Sequence, residues 1–266
     1  MTRSRRLAAE TRAATKAFLR RRTAVFFTFF FPVIIVVIFG IMVGTQPTGG
    51  SLFAEPPGWY VPGYLAVVVL FTPLSRVGSE VARHREGNRF EKLATTPLSR
   101  GEWLLAQTLV NVVVIGAAGL LLLGLLVATT GASIAVSPAL ALLVPFVVAG
   151  VALFCGIGSL LGTFADSRDG AIAASNSLAL PLLFLSETFV PASLLPGWLP
   201  TGLSPLTYFA RGVRQLTYGA TGAGEGALLA TGRGPGLLGP VGNLAVLSVL
   251  AVVLFAVAAR SLPRTD

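Results

Sequence analysis

The stretch ARHREGNRFEKLATTPLSRGEW, residues 82–103, breaks into a chain that is otherwise strongly apolar. Between Arg76 and Trp103 the sequence places six basic and four acidic residues together with the aromatics Phe90 and Trp103. The protein has 266 residues, only 12% of them charged and 54% hydrophobic, and a mean hydropathy of +0.79. A soluble domain of this size carries about twice that charged fraction, so the composition points to membrane residence. Working outward from the charged stretch, apolar runs occupy 24–44, 59–79, 103–128, 138–162, 170–186 and 238–259. All but the fifth have the ~20 residues a helix needs to cross a hydrocarbon core. The fifth ends at Glu187 and spans only where the bilayer thins or the apolar surface continues into the next loop. The sequence therefore predicts an all-α membrane protein with six transmembrane helices.

Six spans place both termini on one side, and the charge distribution says which. Eight basic residues precede the first span, six surround the loop after span two, and Arg168, Arg260 and Arg264 follow the same side, leaving only Arg211, Arg214 and Arg233 opposite. Lys and Arg favour the cytoplasmic face, so both termini are expected inside. The net charge of +9 then reports orientation beside anionic lipid, and nucleic acid is not an expected partner. The first apolar run is too long, and followed by too many others, for a cleaved secretion signal. The single cysteine, Cys155, lies in span four and reads as a packing residue.

Ahead of span one, RRLAAETRAATKAFLRRR fits a helix with Leu7, Ala14 and Phe18 on one face and Arg5, Arg12, Lys16 and Arg20 opposite. Such a helix is expected to lie along the interface, with its apolar face among acyl chains. Within the charged stretch, Phe90, Leu93, Ala94 and Pro97 recur at helical spacing. They predict a short amphipathic helix that ends before Pro97 and offers an apolar ridge in a charged frame. The pairs Glu86–Arg89 and Glu80 with Arg83 or His84 are each worth on the order of a few tenths of a kcal/mol, too little for stability alone to explain the cluster. Ser99 and Glu102 form a capping box that opens span three, and Trp103 is placed for the headgroup region. The stretch reads either as an orienting loop or as a docking element with little slack between it and spans two and three.

No ionisable residue is required near the centre of a span, which argues against a proton-driven relay. Asn111 and Asn176 are candidates for interhelical hydrogen bonds, with substrate contact the alternative for each. The pairs Gly40–Gly44 and Gly158–Gly162 offer close-approach surfaces for a neighbouring helix or, less readily, a second protomer, and Pro32, Pro73 and Pro181 can bend their spans. After span five, four prolines between 191 and 205 oppose one straight helix while Leu185, Phe189, Leu194, Leu195, Trp198 and Leu199 oppose a solvated loop. A re-entrant outer segment satisfies both, followed by a helix with Leu206, Phe209, Val213 and Leu216 on one side. Glu187 at the end of span five reads as a salt-bridge partner of Arg211 or Arg214, or as a contact for a cationic molecule. The chain contains neither G-x-x-x-x-G-K-[ST] nor H-E-x-x-H, and one histidine with one cysteine makes no conventional metal centre. Membrane work without nucleotide chemistry points to a separate energising partner. A gradient-driven secondary transporter or channel, and a non-transporting membrane organiser, are the other classes.

The segment REGNRFEKLATTPLSRGEWLLAQ, residues 85–107, resembles the permease subunits of ABC-2 type transporters, above all bacterial drug- and antibiotic-export permeases related to daunorubicin-resistance transporters. Arg85, Glu86, Glu91, Leu93, Thr96, Pro97, Ser99 and Arg100 carry the likeness, with Gly87 following Glu86 directly where many relatives have an intervening residue. The segments LFLSETFVPASLLPGWL and LSPLTYFARGVRQL are similar to the family's outer region, although Glu187 and Thr188 replace small residues. The resemblance implies an amphipathic elbow over 1–23, a transmembrane domain over 24–262 with a coupling loop at 80–102 and an outer loop region at 187–237, and a tail at 263–266. It implies a permease dimer in a bacterial plasma membrane, working with cytoplasmic ATPase subunits that hold ATP and Mg, while this chain catalyses nothing and binds no cofactor. The coupling residues it implies are Arg85, Glu86, Phe90, Glu91, Leu93, Thr96 and Pro97. Asn176, Glu187, Phe189, Tyr208 and Arg211 are candidates for substrate contact or an outer gate. Membrane lipids and a hydrophobic drug, lipid-like or polysaccharide cargo complete the expectation.

Overall fold

The computed structural model describes residues 2–38, 56–130, 134, 137–190, 195–196, 198–218 and 238–263. Gly40, Gly44, Pro191, Leu194, Arg233 and Arg264 lie outside the described residues. Among those described the chain is helical: α1 (Arg3–Leu19), α2 (Arg22–Ile35), α3 (Val61–Glu86), α4 (Arg89–Ala94), α5 (Arg100–Thr130), α6 (Leu143–Phe164), α7 (Arg168–Leu185), α8 (Pro205–Thr217) and α9 (Pro240–Ser261). Short 3-10 turns lead into α3, α6 and α8. Four helical stretches are individually long and apolar enough to cross a membrane, at 57–86, 100–130, 138–164 and 240–261. The 18-residue α7 is not among them, and α1 and α2 meet at 83°.

The hub is α3, which touches α2, α4, α5, α6, α7 and α8. Its apolar window is 67% buried inside the protein, against 22% for α9, so α3 packs on protein while α9 faces outward along most of its length. Glycine decides how closely α6 approaches it. A Cβ at Gly158 would collide with the Leu74 carbonyl, and one at Gly162 with the Gly78 carbonyl. On another face of α6, Gly156 lies against the Leu254–Phe255 backbone of α9, leaving 3.1 Å for a Cβ. The Gly158–Gly162 pair, a close-approach surface in the sequence, is thus used within one protomer to bring α6 onto α3.

α1 has the expected two faces, but its apolar side meets protein. Ala14 and Phe18 are buried against Val110 and Val114 of α5, where the reading from sequence put acyl chains. Arg76, inside α3, lies over the Phe18 ring at 4.3 Å and donates to Asn111 Oδ1 at 3.3 Å. Asn111 thus takes part in the interhelical bond expected of it, accepting at Oδ1, while its Nδ2 donates to the Gln107 carbonyl one turn earlier in α5 at 2.8 Å. A cation beside an aromatic ring and an amide in the protein interior holds α1, α3 and α5 in one arrangement.

Candidate coupling site

At one end of the bundle α3, α4, α5, the α6–α7 corner and the end of α9 come together; this is the hairpin end. Here α3 runs on to Glu86, so residues 80–86, read from the sequence as loop, form its last two turns. Asn88 then takes φ 50°, a left-handed conformation that asparagine tolerates better than most residues, and reverses the chain into α4. Thr95 and Thr96 bond back to Lys92 and Leu93, ending the helix before Pro97. The capping box forms as expected: the Ser99 amide donates to Glu102 Oε2 at 2.9 Å and the Glu102 amide to Ser99 Oγ at 3.2 Å. It opens α5 at Arg100, a turn before the apolar run begins.

The ridge expected on α4 is turned partly inward. Phe90 is buried and packs edge-on to Trp103 at 5.4 Å, with the His84 ring 4.9 Å from Trp103. Trp103 is itself only 1% exposed, so the indole packs within the protein and not among headgroups. Leu93 is half-buried, while Glu91, Lys92, Ala94, Thr96 and Pro97 remain exposed. Phe90 therefore fastens α4 to α3 and α5, and the outward surface of the hairpin is mostly charged and polar. A groove of about 430 Å³ runs beside it, bordered by Leu93, Leu98 and Arg100 and by Ala259 and Arg260 at the end of α9.

Charges brace the hairpin to the rest of this end. Arg85 donates to the Ala165 carbonyl at 2.7 Å, where α6 stops, and Glu86 accepts from the Arg168 amide at 2.7 Å, where α7 starts. A cation at a helix C-terminus and an anion at an N-terminus both oppose the helix dipole favourably. Glu86 thus turns to α7, where the sequence paired it with Arg89. Glu102 receives Arg3 at 3.1 Å and Arg6 at 3.2 Å from α1, and Arg6 also donates to the Pro97 carbonyl at 2.7 Å. Glu80 pairs with Arg83 and lies near His84, as expected, and also takes Arg21 from the α1–α2 turn at 3.0 Å. Arg100 donates to the Leu262 carbonyl at 3.2 Å beyond α9. Arg6, Arg21 and Arg168 were invisible as partners in the sequence, because they lie about 60 to 96 positions from the carboxylates they meet.

At the opposite end the other candidate residues form a second cluster. Glu187 is buried and paired side-on with Nε and Nη2 of Arg211, the Nε bond being 2.8 Å, and accepts from Thr201 Oγ1 at 3.1 Å. Arg214 is also buried. It lies over the Trp59 ring at 3.7 Å and donates to the Glu187 carbonyl at 2.6 Å, a role that sequence did not reveal. Phe189 meets Tyr64 edge-on at 5.9 Å, and Tyr208 donates to the Gly202 carbonyl at 3.0 Å. Asn176 stands apart from this cluster, exposed on α7 in a stripe with Ala173, Ser177, Leu180 and Phe184. Among the described residues no three His, Cys, Asp or Glu side chains gather to hold a metal.

A bundle with four helices long and apolar enough to cross a bilayer is that of a multi-span membrane protein. The family model for the ABC-2 type transporter matches residues 6–218. The chain belongs to that family, whose match takes in both the hairpin and the Glu187 cluster. No curated protein sequence matches it.

Proposed function

We propose that this chain is the permease subunit of an ATP-driven exporter, in which the hairpin end faces the cytoplasm and receives a separate ATPase subunit. The observation that carries the reading is mechanical. The exposed patch of Glu91, Lys92, Thr96 and Pro97 sits on α4 and the turn after it, where Phe90 packs on α3 and α5, Pro97 accepts from Arg6 of α1, and Arg85 and Glu86 just before α4 bond the α6–α7 corner. A push on that patch moves several membrane helices together. Arg85, Glu86 and Phe90 keep the patch rigid, and Leu93 contributes to the groove beside it.

The full topology has six spans, α2 and α7 supplying the first and fifth, with the elbow at 1–23 and a re-entrant region within 187–237. Both termini are cytoplasmic, in line with the 17 of 20 basic residues assigned to that side. Two permease chains pair, and the exposed α7 stripe with Asn176 supports this, since amide groups at membrane depth seek partners. ATP and Mg bind the partner ATPases, and ATP shifts the permease between inward- and outward-open states only by binding one state better than the other. The chain itself makes and breaks no bonds. Its cargo is a hydrophobic drug, antibiotic or lipid-like molecule crossing a bacterial plasma membrane, in keeping with the resemblance to daunorubicin-resistance permeases. Glu187, Phe189, Tyr208 and Arg211 form the outer gate.

The test is reconstitution in liposomes with a co-purified ATPase. Cargo movement that requires ATP and is lost when the exposed hairpin patch is altered supports the reading. Flux driven by an ion gradient without any ATPase overturns it, as does modification of a cysteine at residue 91 from outside intact cells.

A further inference from the structure

We propose that a groove where α3, α5 and α6 meet, in the half of the bundle away from the hairpin, is a binding site for one acyl chain of a membrane phospholipid. The cavity measures about 470 Å³, inside the ~300–1,000 Å³ range of sites that hold small molecules. Leu65 and Val69 of α3 form its floor, Gly116 and Leu120 of α5 one wall, and Val144 and Val148 of α6 the other. Among the described residues every lining side chain is aliphatic or absent: no hydroxyl, amide, charge or ring borders it. A ligand that needs hydrogen bonds would lose them here. A flat polycyclic molecule would find no ring to stack on. What fits is flexible hydrocarbon.

Two further observations select lipid as the occupant. The groove opens onto the outside of the bundle, since Val113, Leu120 and Val144 on its rim are 72%, 73% and 67% exposed, the side from which acyl chains reach a membrane-spanning helix. Its depth comes from Gly116, where an added Cβ would meet nothing within 4 Å, in contrast to Gly119, where it would meet Leu65 at 3.2 Å. Without an occupant these walls lack contact atoms on one side, and a chain laid in the groove supplies them.

The test uses the full-length protein in proteoliposomes containing phosphatidylcholine with a photoreactive diazirine along one acyl chain. Sites of attachment are read by peptide mass spectrometry. Labelling at Val113, Leu120, Val144 and Val148 is expected to exceed that at Val252 and Val253, exposed residues of α9, by about tenfold, the preference that on the order of ten additional close carbon contacts inside the groove give. Gly116→Phe fills the groove and is expected to bring its labelling down to the α9 level while leaving α9 unchanged. Equal labelling of groove and α9 in the wild type overturns the proposal without recourse to the variant. So does unchanged groove labelling in Gly116→Phe, or disulfide cross-linking of Gly116→Cys between two copies of the chain, which would mean that protein fills the space.

Discussion

Asn88 carries the reversal between α3 and α4 at a positive φ, and its side chain makes no capping hydrogen bond to α4. A β-branched side chain in the left-handed region costs roughly 1–2 kcal/mol. Asn88→Val is therefore expected to lower the melting temperature in detergent, whereas Asn88→Gly leaves it unchanged or raises it; scanning fluorimetry distinguishes the two. A second residue acts through charge. Burial, and then the nearby Glu80, push the Glu10 carboxyl above its usual range. The folded state thus disfavours ionised Glu10, a penalty fully present above the raised pKa and lost as the pH falls towards the ordinary carboxylate value. Glu10→Gln is expected to raise thermal stability at neutral pH, with a gain that fades on acidification through that window. A gain independent of pH would place the effect elsewhere.

At the scale of elements, the most extensive contact among the described helices is α6 on α3, and it depends on two glycines facing backbone carbonyls. Backbone cannot swing aside as a side chain tip can. Gly162→Val is expected to separate the helices and abolish a monodisperse peak in size-exclusion chromatography, while Gly124→Ala, with open space around it, leaves the profile intact. The capping box at Ser99 was legible in the sequence because both partners lie three residues apart and the pattern has one geometric solution. The fate of the ridge was not. Periodicity showed that Phe90 and Leu93 share a face, but could not say whether Trp103 and His84 or an external partner would cover it. The same holds for α1, whose apolar face is equally suited to lipid and to Val110 and Val114.

For the whole molecule, the hairpin end behaves as one braced unit, and the two carboxylates singled out from sequence differ within it. Glu86 holds the start of α7, whereas Glu91 is exposed on α4. Glu91→Lys is expected to reduce ATPase stimulation by the permease with its thermal stability unchanged. Glu86→Lys is expected to reduce both, because it also loses the α7 amide. ATPase assays and melting curves on the same preparations separate the cases, and equal behaviour of the two variants would contradict the distinction.

Hydropathy, charge bias and local spacing determined by themselves that this is a helical membrane protein with an amphipathic start, a charged hairpin and a capped α5, since each depends on residues within a few turns of one another. Only the tertiary structure decided that Arg76 and Arg214 are interior cations on Phe18 and Trp59, that Glu102 gathers Arg3 and Arg6, and that Gly158 and Gly162 serve one protomer. The reason is physical: an apolar face or a charge states what it needs, and chain folding alone selects which distant residue supplies it.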